Sequence, residues 1–201
     1  MESEKLNQYV KDATRTESII NKSLNSGVNY RIMHANIGIL TEVGEILDSV
    51  KKSIFYGKEY DFVNLQEEVG DIMWYLAIFC DESGIDLQQK FNLAYEKYQP
   101  IFKAIDPLQI IAPALRLNNL ANSFAQESVG FCYDEEIHND FEIFVSQLIE
   151  PISDIVCLSG SNIYDVAEQN IRKLKKRFPE KFTSERALNR NLEQEREELE
   201  K

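Results

Sequence analysis

The apolar positions of this chain recur almost everywhere at three- and four-residue steps, the period of helices packed on one face. Residues 4–24 read as a first helix, with Leu6, Val10, Ala13 and Ile19-Ile20 as a loose stripe and Ser26-Gly27 as its break. A second runs from Tyr30 to Ile54 on Met33, Ile37, Leu40, Val43, Leu47, Val50 and Ile54, and Tyr56-Gly57-Lys58 follows as a loop. Asn64 with Glu67 three residues on has the form of a capping box and opens a third helix lasting to Asp81, closed by Ser83-Gly84. Within it Ile72 to Phe79 is apolar on every side, which predicts a buried helix. Asp86 with Gln89 starts a fourth, through Phe91, Leu93-Ala94 and Tyr98 to Pro100. Helices are predicted at 108–128 and 138–158, and from Asn162-Asp165 to Phe178-Pro179. A highly charged last helix, Ser184 to Lys201, keeps a narrow edge of Leu188, Leu192 and Leu199.

Composition narrows the class. In 201 residues there are only 8 Gly and 5 Pro, and no alternating strand pattern recurs, so the fold class is all-α, a multi-helix bundle. The formal net charge of −12 argues against a nucleic acid polymer or an anionic membrane as partner, because such binding rests on neutralising phosphates. No apolar run is long enough for a membrane span, and Met1-Glu2-Ser3-Glu4 lacks the pattern of a signal peptide. Cys80, Cys132 and Cys157 are widely spaced in apolar surroundings and read as reduced core thiols, which points to the cytoplasm. His34 and His138 have no Cys or His at ligand spacing, which disfavours zinc.

The candidate chemistry lies in Glu42-Val43-Gly44-Glu45 and Glu68-Val69-Gly70-Asp71. Each is a pair of acids three residues apart, hence on one helix face at roughly 5–6 Å between Cβ atoms. Acidic pairs usually decorate solvated faces, and E-x-x-E alone carries no information. Here, however, the second pair immediately precedes a buried run, where a carboxylate needs a partner. Four facing carboxylates suit a hard divalent cation, Mg²⁺ or Mn²⁺. Lys52 shares a face with Glu42 and Glu45. Residues 170–182 hold six of the 22 basic residues against the single acid Glu180, whereas 101–160 holds Lys103 and Arg116 against nine acids. Asn170, Lys173 and Arg177 fall on one stripe, which either offsets a helix dipole or faces a ligand's negative charge. There is also an internal echo. Asp71-Ile72, Gly84-Ile85-Asp86 and Asn92 are paralleled by Asp154-Ile155, Asn162-Ile163-Tyr164-Asp165 and Asn170, with Leu115-Arg116-Leu117-Asn118-Asn119 in place of an acid pair.

Taken together these residues resemble the MazG family of all-α nucleoside triphosphate pyrophosphohydrolases. The family's E-x-x-E and E-x-x-D signature corresponds to Glu42/Glu45 and Glu68/Asp71. Further likeness lies in Tyr9 to Glu17, Lys51-Lys52, Tyr56-Gly57-Lys58, Glu67 to Leu76, Asn170 to Leu174, Arg177-Phe178-Pro179 and Lys181-Phe182, and the tail Ala187 to Glu193 is similar to that of phage and bacterial members. The resemblance implies a four-helix core and Mg²⁺-dependent hydrolysis of a nucleoside or deoxynucleoside triphosphate to monophosphate and pyrophosphate. It implies Glu42, Glu45, Glu68 and Asp71 as metal ligands, with Glu42 or Glu45 activating water. Asn170, Lys173 and Arg177, with Lys52, would meet the polyphosphate, and a phage-encoded chain would act in its host's cytoplasm. Trp74, Tyr56 and Phe55 are candidates for stacking on a base, with core packing the alternative for Trp74. The departure is a middle segment of some 75 residues that reads as a second, acid-stripped copy. The expected organisation is therefore a metal-bearing half at 1–105, a degenerate half at 106–183 carrying the basic stripe, and a tail helix at 184–201, folded as a tandem pseudo-dimer. Family members work as dimers or tetramers, so a homo-oligomer is left open. A catalytically silent nucleotide- or metal-binding module, or a helical adaptor, is the alternative reading.

Overall fold

The structure is a computed structural model and describes residues 4–18, 29–95, 106–128, 135–179, 182, 183, 185, 189 and 191–200. Within these the chain is all-helical: α1 (Lys5–Thr14), α2 (Tyr30–Tyr56), α3 (Phe62–Ser83), α4 (Leu87–Tyr95), α5 (Leu108–Ser128), α6 (Glu135–Leu158), α7 (Ile163–Arg177) and α8 (Leu192–Leu199). The predicted Ile19-Ile20, Ser26-Gly27, Tyr98, Pro100, Cys132, Ser184 and Leu188 lie outside the described residues.

Helix ends follow side-chain chemistry. Asn29 caps α2 by accepting from the N–H groups of Arg31 and Ile32. Asp61, and not the expected Asn64, caps α3, accepting from Val63 N (3.0 Å) and Asn64 N (3.1 Å). Asn64 instead sits a turn inside, where its amide donates to Glu68 Oε1 at 3.2 Å. The first helix ends at Thr14 rather than near residue 24, because the Thr16 hydroxyl turns back onto the Ala13 carbonyl at 2.7 Å. The last described helix starts at Leu192, where Asn191 accepts from Gln194 N.

α2 packs on α3 along one side and on α5 along another, and α3 also meets α6 and α7. α1 lies across α3, α4 and α7, and α8 packs on α7. The buried face of α2 is Ile32, Ala35, Ile39, Val43, Ile46 and Val50. The expected stripe shares only Val43 and Val50 with it, and Ile37 is half exposed. The helix carries two interleaved apolar sets, and the demand of packing against α3 and α5 together selects the one centred between them.

Two helix pairs share a burial pattern, in a register that sets Asp71 against Gln147 rather than against the Asp154 of the sequence echo. Ile32, Asn36, Ile39, Val43 and Ile46 of α2 are buried at the same successive steps as Ile110, Ala114, Leu117, Ala121 and Phe124 of α5. Leu65, Val69, Ile72, Met73, Leu76 and Phe79 of α3 match Phe141, Val145, Leu148, Ile149, Ile152 and Ile155 of α6 in the same way. Both α3 and α6 end on a buried serine and a left-handed glycine, Ser83-Gly84 (φ 71°) and Ser159-Gly160 (φ 78°). The residues after these glycines, Ile85 and Ser161, bond back to the Cys80 and Val156 carbonyls, the form of a Schellman motif. In this register Glu42, Glu45, Glu68 and Asp71 correspond to Leu120, Ser123, Phe144 and Gln147.

Candidate functional site

α2 and α3 are joined by the short connection Gly57 to Asp61 and run against each other, which brings their acidic turns together. One carboxylate oxygen each from Glu42, Glu68 and Asp71 lies within 4.8 Å of the other two, all on half-buried side chains. Burial, then a hydrogen bond with Glu42, then the charge of Asp71 push the Glu68 carboxyl up to about 9. Glu42 is also raised, by burial first and by Asp71 second, against the opposing effects of Glu68's hydrogen bond and of Lys173. Near neutral pH the Glu42–Glu68 pair therefore holds a proton between two acids. A half-buried, all-oxygen donor set in which carboxyls must protonate for want of positive charge fits a hard divalent cation.

Glu45 is not brought into this group. It lies on the exposed side of α2 and lines both the main cavity and a smaller adjoining one of about 120 Å³. Lys52, expected among the phosphate contacts, sits on that smaller cavity with its ammonium 2.5 Å from Asp48.

The basic stripe divides. Lys173 is completely buried, its ammonium 2.6 Å from both oxygens of Asp71 and 3.3 Å from Glu67. Asn170, also buried, donates from Nδ2 to Asp71 Oδ1 at 2.9 Å. Neither residue lines the cavity; both stand behind Asp71 rather than facing a ligand. α7 comes this close because residue 70 is glycine: a Cβ there would meet Asn170 Cβ at 3.1 Å. Arg177, one turn further, does line the cavity, where Glu195 of α8 grips it through both carboxylate oxygens. Arg196 anchors the same helix by a two-pronged bond to Asp61, the cap of α3.

The main cavity has a volume of about 770 Å³. Opposed in character to its acidic wall is an aromatic one made of His34, Trp74, Tyr75, Phe178 and Phe182. The Trp74 indole N–H donates to Ala13 O (3.0 Å) and Thr16 Oγ1 (2.9 Å), and Tyr75 meets it edge-on at 4.9 Å. Tyr75 lies over Gly38, where a Cβ would come within 2.1 Å of its ring. Trp74 thus packs on the core and lines the cavity as well, whereas Phe55 and Tyr56 are exposed at the end of α2 and line no wall of it. His34, whose pKa burial lowers, has a buried Nδ1 with no hydrogen-bond partner. Sequence reasoning missed Glu67, His34, Tyr75, Glu195 and Arg196. Only Glu67 carried a signal, as the neighbour of Glu68.

Fold and site define a helical protein with an acidic cluster at a two-helix seam, lining an open cavity and able to hold a cation. Residues 34–101 match the family model described as the MazG nucleotide pyrophosphohydrolase domain. The match spans α2, α3 and α4 with Glu42, Glu45, Glu68 and Asp71, and stops short of the helix bearing Asn170 and Lys173. No curated protein and no solved structure matches the chain. No described helix is long and apolar enough to cross a membrane.

Proposed function

We propose that the chain hydrolyses a nucleoside or deoxynucleoside triphosphate, or a related nucleotide, to the monophosphate and pyrophosphate, with Mg²⁺ or Mn²⁺ as cofactor. The observation that carries this is the convergence of Glu42, Glu68 and Asp71 in a cavity with an aromatic wall, inside a segment of the matching family. These three acids would hold the cation, which when bound neutralises phosphate oxygens and makes water more acidic. Lys173 and Asn170 fix Asp71 from behind. Glu45, solvent-exposed on the cavity wall, accepts the proton of the attacking water, with Glu42 the other candidate. Water oxygen bonds to the α-phosphorus as its bond to the bridging oxygen breaks, and pyrophosphate leaves. Arg177 meets the phosphates by exchanging Glu195 for them, with Lys52 beside the mouth. Trp74, Tyr75 and His34 receive the nucleobase. A panel of nucleotides assayed for pyrophosphate, with divalent cation and with chelator, tests the reading. Chelator-sensitive release of pyrophosphate from at least one nucleotide supports it, and its absence across the panel overturns it.

The same reading extends to architecture: 1–105 and 106–183 are a metal-bearing and a degenerate copy of one unit, with 184–201 as tail, and each chain has one site. The matching burial registers of α2 with α5 and α3 with α6 support this, as does the reach of Lys173 to Asp71 within one chain. Mixing inactive Glu68→Gln chains with inactive Lys173→Met chains leaves activity absent if each site is built by one chain. Recovery on mixing refutes it.

A further inference from the structure

Asp71 accepts from Asn170 Nδ2, and a carboxylate has only acceptors to offer. The Asn170 amide must therefore present its nitrogen to Asp71 and its oxygen to the opposite side. On that side stands Tyr9 of α1, whose hydroxyl donates to Asn170 Oδ1 at 3.0 Å, with the Gly70 carbonyl at a longer 3.4 Å. Tyr9 and Asn170 are both buried, 4% and 2% exposed, so water does not readily replace either bond.

We propose that Tyr9 is a positioning residue for the metal site: its hydroxyl fixes the Asn170 amide, and the amide fixes the carboxylate of Asp71. The relay joins α1, α7 and α3, and makes the N-terminal helix part of the active centre although it contributes no ligand. Tyr9 stays a phenol, as a donor must, because burial and then the charge of Asp71 raise its pKa well above the ordinary value. Its ring also packs in the core, so a structural role and a positioning role make different predictions once the oxygen alone is removed.

The inference rests on the proposed metal site, and the test separates the two. Mn²⁺ is titrated calorimetrically into the wild-type chain, Tyr9→Phe, Asn170→Ala and the double variant, each checked for helicity. Loss of a partner behind a metal ligand typically weakens binding about ten- to a hundredfold. The expected result is a loss of about tenfold in Mn²⁺ affinity for Tyr9→Phe, at least as much for Asn170→Ala, and no further loss in the double variant, because both changes break one relay. Mn²⁺ affinity within twofold of wild type in Tyr9→Phe, or full additivity in the double variant, overturns the relay while leaving the metal site standing. An unchanged affinity in Asn170→Ala overturns it independently, should Tyr9→Phe not fold. A wild-type chain that binds no Mn²⁺ overturns the metal reading and the relay with it.

Discussion

Lys173→Met separates the role the sequence suggests for this residue from the one its surroundings give it. The ammonium is fully buried and lies 2.6 Å from both oxygens of Asp71. Methionine keeps the volume of the stem and removes the charge. Taking one partner from a buried ion pair costs about 3–5 kcal/mol, because the other charge is left uncompensated. The Asp71 side chain is 23% exposed through the cavity, so water recovers part of its solvation, and the lower end, about 3 kcal/mol, is expected. For a chain of this size about 2–4 °C is lost per kcal/mol, which gives a fall in Tm of about 6–12 °C. The assay is thermal unfolding followed by circular dichroism without divalent cation. Asp71→Asn added to Lys173→Met should restore much of the loss, since the orphaned charge then disappears. A Tm within about 2 °C of wild type, together with a raised KM for nucleotide, would refute this reasoning and return Lys173 to the phosphates.

Three other expectations follow from the same geometry. The folded Glu68 carboxyl is pushed up to about 9 from an ordinary 4.5, so between these values the native state holds a proton that the unfolded chain has released. Metal-free stability should therefore fall as pH rises from 5 to 9, by up to about 1.4 kcal/mol per unit. Glu68→Gln should flatten that slope in pH-resolved melts, and an equal slope in both proteins would contradict it. Glu195→Gln weakens the grip on Arg177, so KM for the nucleotide should drop; a rise would mean that α8 completes the site instead of competing for it. Gly38→Ala puts a methyl 2.1 Å from the Tyr75 ring and should cost about 1–3 kcal/mol by overpacking, read as a lower denaturation midpoint.

How far the sequence was legible varied with the question. Helix identity followed from period and caps: Asn162, Asp86 and Gly84 all act where their chemistry predicts. The acidic seam was legible too, because i,i+3 spacing forces Glu68 and Asp71 onto one face beside a buried run. What a stripe does not reveal is which way its face turns. Asn170, Lys173 and Arg177 do lie along one side of α7, yet the first two point into the interior and only the third reaches the cavity. A lysine next to Leu174 in a run of basic residues gives no local sign that it is fully buried, since that depends on Asp71 arriving from another helix. Glu195 is likewise one acid among many in a charged tail, and only the fold distinguishes it. The two interleaved apolar sets of α2 differ little in strength, and the presence of both α3 and α5 decides between them.

On the proposed duplication, the lack of acids in the second half has a physical reason in the residues that stand in their place. In the shared register Phe144 stands where Glu68 stands, and it lies stacked on Phe124 at 3.9 Å, with Phe79 and Phe141 around it. A carboxylate among these rings would face a desolvation cost of several kcal/mol unless a cation met it. Asp71 has such a cation in Lys173, supplied by the helix that follows α6. Its counterpart Gln147 is exposed and needs none. The asymmetry is thus self-consistent. On that proposal, one half keeps carboxylates because the other supplies the ammonium and the amide behind them, and that other half fills the corresponding place with rings, gaining apolar burial at about 25 cal/mol per Å² in place of a charge without a partner.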